Sequence, residues 1–315
     1  MIDGVPRFVP DIYEDYPDFP KQHSGSFRNL SQQDVKEFQT LHRATKKSFG
    51  FQWLRYKVTD HQENRECFYD RTRTQPGTLG GQIFFEAGCG MGRYLKVFSD
   101  EPGAEVVGLD LSLAVNRAYE ENRANPLIHV IQGNIMQLPL RPECIDHAYS
   151  IGVLHHTPST EVATRSVAKL VKPGGRLSIW VYHVWNHPGV SGLKALHPSL
   201  KGAITDGIRA VTTRMPHSML HYLCYLAIPA GWVQRKIMDA PKPIRILLSP
   251  LLLVAVSVHK KAEIRLLDTF DWYSPQYQWK HTVAEVEGWF RALGMEQIDS
   301  EGYSVSVRGR KPSKS

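Results

Sequence analysis

The sequence has little cysteine. Its four, Cys67, Cys89, Cys144 and Cys224, are scattered, with no C-x-x-C and no paired spacing. A disulfide framework or a zinc site is therefore not expected, and a reducing cytoplasm is the default compartment. Long apolar runs are also missing. The longest, residues 246–258, is broken by Ser249 and Pro250 and falls short of the roughly 20 residues that cross a bilayer. No integral membrane association follows from it. It reads as a buried helix of a cap or as an interface, which leaves a homodimer open. Concentrated charge is absent as well. The net charge is +7, but the basic residues are spread out apart from Arg308, Arg310, Lys311 and Lys314 near the end. A nucleic-acid footprint is normally a stripe, so no nucleic-acid partner is expected. The first residues, MIDGVPRFVPDIYEDYP, are acidic and proline-rich, unlike a signal peptide.

What is present is ample for a buried core: 315 residues, 42% of them apolar and 22% charged, so composition argues against disorder. Residues 1–30 read as an extended surface arm. Helical spacing of Val35, Phe38 and Leu41 follows, behind a capping pattern at Ser31 and Asp34, and a second helix is expected after Thr59. From residue 82 short apolar runs alternate with helical patterns. Strands are expected over 83–87, 105–109, 127–131, 145–151 and 176–182, with helices over 93–99, 112–124 and 160–170 between them. This alternation implies a parallel sheet with crossover helices, and ligands at the carboxyl ends of its strands. Residues 183–269 lose the pattern and carry seven prolines; segments such as SMLHYLCYLAIPAGWVQRKI and PIRILLSPLLLVAVSVHKKAEI read as a helical cap. After them a helix opens at Thr282 and two strands, 295–299 and 303–307, complete the sheet.

The stretch over residues 83–95, IFFEAGCGMGRYL, organises the rest. An apolar run meets Glu86 and then a turn with glycine at every second position, Gly88, Gly90 and Gly92. A strand, a glycine turn and a helix start present backbone N–H groups to one ligand. The spacing is E-x-G-x-G-x-G, not the G-x-G-x-x-G of dinucleotide sites. Asp110 ends the next strand a little over 20 residues on, where an acid accepts from ribose hydroxyls. Leu111 lies beside it, and Ser112 is a fitting cap for the following helix.

With these features the chain resembles the class I S-adenosylmethionine-dependent methyltransferases. QGNIMQLP around Asn134 and Ile135 resembles a third motif of that family, in which an acid normally takes the place of Asn134. CIDHAYSIGVLHHTP resembles its fourth strand and exit loop, and KPGGR the turn before its fifth strand. The resemblance covers residues 83–182. It implies S-adenosyl-L-methionine as the cofactor, a small-molecule acceptor as partner, no metal, and a Rossmann-like α/β sheet, parallel with one antiparallel carboxyl-terminal strand. The implied organisation is a helical lid over 1–80, a cofactor-binding core over 81–184, a cap over 185–270 and a carboxyl-terminal completion over 271–315. The implied cofactor contacts are Glu86, Gly88, Gly90, Asp110, Leu111, Asn134 and Ile135, with Glu86 holding the methionine amino group and Ile135 packing on adenine. Methyl transfer to a hydroxyl, an acidic carbon or a protonated amine needs a base, and a histidine at the cofactor edge suits that. His155, His156 and Tyr182 are the candidates. The aromatic stretches supply candidate substrate-wall residues: Trp53, Asp271, Trp272, Tyr273 and His281. Aminoalkyl transfer or cyclisation on the same fold stays open, as does a non-catalytic binding module.

Overall fold

The computed structural model describes residues 1–18, 32–56, 60–184, 193–300 and 305–313. The expected caps at Ser31 and Thr59 lie outside these residues. The second helix is capped by Asp60, whose side chain accepts from the Glu63 N–H.

Two units are present. The first comprises residues 1–54, 59–183 and 277–315 and holds an eight-stranded sheet. In chain order its elements are β1 (Arg7–Phe8), α1 (Ile12–Asp15), α2 (Gln32–Arg55), α3 (His61–Thr72), β2 (Ile83–Ala87), β3 (Glu105–Asp110), α4 (Ala114–Asn122), β4 (Ile128–Gly133), β5 (Ile145–Ile151), α5 (Thr160–Ala168) and β6 (Val171–Val181). Beyond the second unit, α11 (Val283–Ala292), β7 (Glu296–Ser300) and β8 (Val305–Arg310) follow. The strand order is β1-β4-β3-β2-β5-β6-β8-β7. All neighbours are parallel except β8, which runs against both β6 and β7. This is the expected α/β class with one antiparallel carboxyl-terminal strand. The chain steps outward from β2 to β3 and β4, then returns to place β5 on the other side of β2. That reversal opens a crevice at the carboxyl ends of the central strands.

The IFFEA run of β2 is apolar because both sheet faces are covered. Phe84 packs with Phe68, Phe98 and Tyr149 on one face, while Phe85 joins Leu109, Leu154, Val167 and Phe290 on the other. Alternation of side chains along a strand puts neighbours in opposite layers.

Three expectations need correction. The surface arm is not merely draped: Arg7 and Phe8 pair with Gln132 and Gly133 as an edge strand, and Val5, Val9 and Ile12 are buried. The segment after the glycine turn is a 3-10 helix over Leu95–Asp100, not an α-helix. The apolar run near residue 250 is not one helix. A helix over Lys242–Leu247 ends at that leucine, a 3-10 turn covers Ser249–Leu252, and extended backbone follows, because Pro250 cannot donate to a continuing helix.

The second unit, residues 55–58 and 184–276, is helical. It contains α6 (Leu193–Thr212), α7 (His217–Cys224), α8 (Ala227–Asp239), α9 (Lys242–Leu247) and α10 (Ala262–Tyr273). Its core includes Leu220, Ile237, Leu266, Phe270 and Tyr273. The extended segment before α10 is held by Gln234, whose amide donates to the carbonyls of Leu251 and Val254, both at 2.8 Å. Arg209 ties α6 to the carbonyls of Trp272 and Pro275. Asp271, Trp272 and Tyr273 thus belong to α10 and the helical unit, whose boundary with the sheet unit falls after residue 276.

Candidate active site

The glycine turn leaves β2 with three residues in the left-handed region: Gly88 at φ +86°, Gly90 at +52° and Gly92 at +84°. A Cβ on Gly88 would lie 2.3 Å from Val153 Cγ1, and one on Gly90 would lie 3.0 Å from the indole nitrogen of Trp53. Backbone conformation and crowding both demand glycine here. The turn is pinned to β3. The Gly88 and Cys89 N–H groups donate to the Leu109 carbonyl at 2.7 and 3.0 Å, and the Gly90 N–H donates to Asp110 Oδ2 at 2.9 Å. The other oxygen of Asp110 accepts from the N–H and hydroxyl of Ser112 at 2.8 and 2.7 Å. Burial pushes the Asp110 carboxyl up despite these donors. Asp110 is therefore a brace between the turn and the start of the next helix as well as a cavity wall.

Glu86 is 2% exposed and accepts one hydrogen bond from the Tyr149 hydroxyl at 3.2 Å. Its burial pushes the carboxyl up to about 8, against the opposing effects of that bond and of Arg93. Among the described residues Glu86 forms no ion pair. Buried and without an ion-pair contact, this carboxyl is suited to receive a cation from a ligand.

A narrow cavity opens where these strand ends meet α2. Gly88, Asp110, Leu111, Ser112, Asn134, Ile135, Val153 and His156 line it from the sheet side. From α2 come His42, Thr45, Lys46 and Phe49. Residues three and four apart share one helix face, so this row covers the cavity along a full turn. The apolar spacing had pointed to Leu41, which is 38% exposed; the buried face holds His42, Lys46, Ser48 and Gln52 beside Phe38. Their polarity hid them, since periodicity is read from apolar residues. The signal that could have found them is the polar i, i+4 pair His42 and Lys46 behind Phe38.

Lys46, 6% exposed, bridges Asp11 at 2.7 Å and Asp15 at 2.6 Å, which staples α1 to α2. Asn134 Oδ1 accepts from the Met136 N–H at 2.9 Å, so its amide nitrogen faces His42 Nε2, at 3.2 Å. The imidazole must accept there. Burial, which lowers the His42 pKa, favours that neutral form.

The two histidines after β5 differ. His156 Nδ1 lies 2.8 Å from the Tyr277 carbonyl and must donate to it. The tautomer is thereby set, and the basic lone pair sits on Nε2, in a ring that lines the cavity 5.1 Å from the ring of Phe49. His155 is fully buried, its ring tilted against that of Tyr182, 3.9 Å between centroids, and against that of His156, 4.1 Å away. Among the described residues neither of its ring nitrogens has a hydrogen-bond partner, and burial first, then the neighbouring histidines, holds it neutral, well below the usual range.

Residues 277–281 clamp this loop. The Trp279 N–H donates to the His155 carbonyl and its indole to the Thr157 carbonyl, at 2.9 and 3.0 Å. His281 donates its N–H to the Tyr182 carbonyl at 2.8 Å. Both His281 ring nitrogens are engaged, with Glu285 and with Thr160, each at 2.9 Å, so this residue acts as a structural tie. Trp53 lies against Gly90, with the Arg93 guanidinium 5.6 Å above its ring.

The glycine turn, the braced acid of β3 and the fourth-strand histidine loop coincide with one recognised unit: residues 85–179 match the family model described as a methyltransferase domain. This region is a class I S-adenosylmethionine-dependent methyltransferase domain. Its cofactor is S-adenosylmethionine, and the cradle of Gly88 and Gly90, with no room for side chains, fits that ligand. The chain is 32% identical over 126 residues to 24-methylenesterol C-methyltransferase 2 of Arabidopsis thaliana, covering 39% of this chain and 33% of the relative. It is 30% identical over 136 residues to the ubiquinone/menaquinone biosynthesis C-methyltransferase UbiE of Syntrophotalea carbinolica, covering 41% and 57%. It is 34% identical over 113 residues to the probable tRNA methyltransferase 9B of Mus musculus, covering 34% and 22%. The chain thus spans about a fifth to just over half of the length of these relatives. Among the described residues no helix is long and apolar enough to cross a membrane.

Proposed function

We propose that this protein transfers the methyl group of S-adenosylmethionine to an O, N or C atom of a small-molecule metabolite, with His156 as general base. The observation behind this is the fixed tautomer of His156, which leaves the basic lone pair on Nε2 in a ring that lines the cavity beside the cofactor turn. When bound, the sulfonium would supply an electrophilic methyl carbon for displacement by the acceptor, with sulfur as the leaving group. Residues of this chain do the rest. Asp110 and Leu111 hold the ribose side, Asn134 and Ile135 the adenine, and Gly88 and Gly90 allow close approach of the backbone. Glu86 receives the methionine ammonium. His156 Nε2 takes the acceptor's proton, and the backbone carbonyl of Tyr277 keeps the ring in register. Tyr182 orients the acceptor, and His155, neutral and packed against the Tyr182 and His156 rings, supports both. Trp53 borders the methyl-transfer point.

The resemblance to sterol, quinone and tRNA methyltransferases makes the test a panel. Incubation with methyl-labelled cofactor and sterol, quinone, aminoalcohol and tRNA acceptors is expected to label a small molecule. Label on tRNA alone would replace the acceptor class; no calorimetric binding of S-adenosylhomocysteine would end the reading. Asn134, standing where related enzymes carry an acid, favours a second reading, a displacement releasing methylthioadenosine. Product analysis without acceptor separates the two.

A further inference from the structure

The methyltransfer site lies at the carboxyl ends of the strands. A second, wider groove lies at the opposite rim of the same sheet. Its wall is formed by the loop after α3, including Arg73 and Thr78, by the first part of β6, including Gly174 and Arg176, and by Arg310 at the end of β8 with Ser313 beyond it. The five residues of β2 separate the two ends by about 17 Å at 3.3 Å per residue, so the groove is not an extension of the cofactor cavity.

The unusual feature is a pairing. Arg176 on β6 and Arg310 on β8 are direct cross-strand partners in the antiparallel ladder, and both are exposed. Directly opposite residues share a sheet face, about 5 Å apart at Cβ, and like charges there are destabilising. The carboxylates nearby do not relieve them. Asp146 is taken up by Lys172, 2.9 Å from each of its oxygens, and by the Ile83 N–H. Glu143 pairs with Lys311. Glu296 stands opposite Arg310 on β7, yet a register shift follows it and no ion pair joins the two among the described residues. Arg310 donates its Nε–H to the Gly174 carbonyl at 2.9 Å, and the residue lines the groove. Burial first, and the Arg176 charge second, hold His147 down to about 3.

We propose that this groove binds a small phosphate-bearing anion of the pyrophosphate class, gripped between the Arg176 and Arg310 guanidinium groups. Paired guanidinium forks match phosphate oxygens in geometry and charge. A single-stranded nucleic acid fits less well, because no exposed aromatic lines the groove to stack a base and the Asp146 carboxylate borders it. The ligand is a second one, distinct from the methyl donor and acceptor, so the proposal does not rest on the assigned reaction.

The test uses the full chain and inorganic pyrophosphate, titrated calorimetrically at constant ionic strength. Saturable binding is expected, weakened about tenfold or more in R176Q and in R310Q, as loss of a charge-assisted contact implies. S-adenosylhomocysteine affinity should stay the same in both variants, which certifies that they fold. Without pyrophosphate R176E should melt higher than the parent, since it turns the repulsive pair into an attractive one, and should not bind pyrophosphate. Three results would overturn the proposal: no saturable binding, binding unchanged in both variants, or competition between pyrophosphate and S-adenosylhomocysteine. Binding of a ten-nucleotide single strand but not pyrophosphate would do so too, and would assign the groove to nucleic acid.

Discussion

At the scale of single residues, Glu86 gives the fold a pH-dependent stability and His156 gives the site its proposed base. Glu86 is protonated more readily in the fold than in the unfolded chain, because burial raises its carboxyl to about 8 from an ordinary 4.5. Between those pH values the folded state holds the extra proton, so this group makes stability fall as pH rises from about 5 to 8. Glu86→Gln is expected to flatten that slope in denaturant melts at several pH values, and to weaken S-adenosylhomocysteine binding by tenfold or more. An unchanged slope would show that Glu86 does not titrate this way. His156→Gln removes the basic nitrogen while keeping a polar side chain of similar reach. Turnover should drop by two to four orders of magnitude, the usual worth of a general base, with S-adenosylhomocysteine affinity held within about threefold. Equal losses of both would make His156 a cofactor contact only.

At the scale of elements, the glycine turn and the α1–α2 staple set the geometry. Gly88→Ala forces a side chain into left-handed backbone and against Val153. A cost of about 1–3 kcal/mol is expected from the backbone alone. Adding Val153→Ala should restore only part of it, because the contact is relieved and the backbone strain is not. Lys46 answers two carboxylates, and removing it leaves both buried or half-buried without their cation. Lys46→Ala should therefore lower stability by about 3–5 kcal/mol, more than Asp11→Ala, which leaves Lys46 its Asp15 partner. Guanidinium melts compare the two directly; the reverse order would show that the staple is not organised around the lysine. The α2 helix illustrates why elements were easier to foresee than faces. Its existence was legible from residues 35–41, but its working face is polar. Periodicity cannot tell a polar helix face that lines a cavity from one that meets water.

At the scale of the molecule, the sheet unit gathers residues from both ends of the chain. Arg7 pairs beside β4, and 277–281 clamp the loop after β5. Ligand binding to that unit should be reported by global unfolding. At a hundredfold excess over its dissociation constant, S-adenosylhomocysteine should add about 2.7 kcal/mol to stability, read as a rise in melting temperature. No rise at saturating ligand would mean that the unit unfolds independently of the occupied site.

What the amino-acid order determined by itself is the local chemistry of residues 83–182. Strand alternation, the glycine spacing, the acid ending β3 and the histidine pair after β5 all rest on short-range rules, because φ angles, turn residues and strand burial are written in neighbouring positions. Tertiary structure decided what those rules cannot reach. It set the His156 tautomer through a carbonyl 121 residues away. It turned His281 into a tie, brought His42 to Asn134 across 92 residues, and set Arg176 opposite Arg310. Each depends on which distant segments meet, and that is a property of packing, not of any stretch read alone.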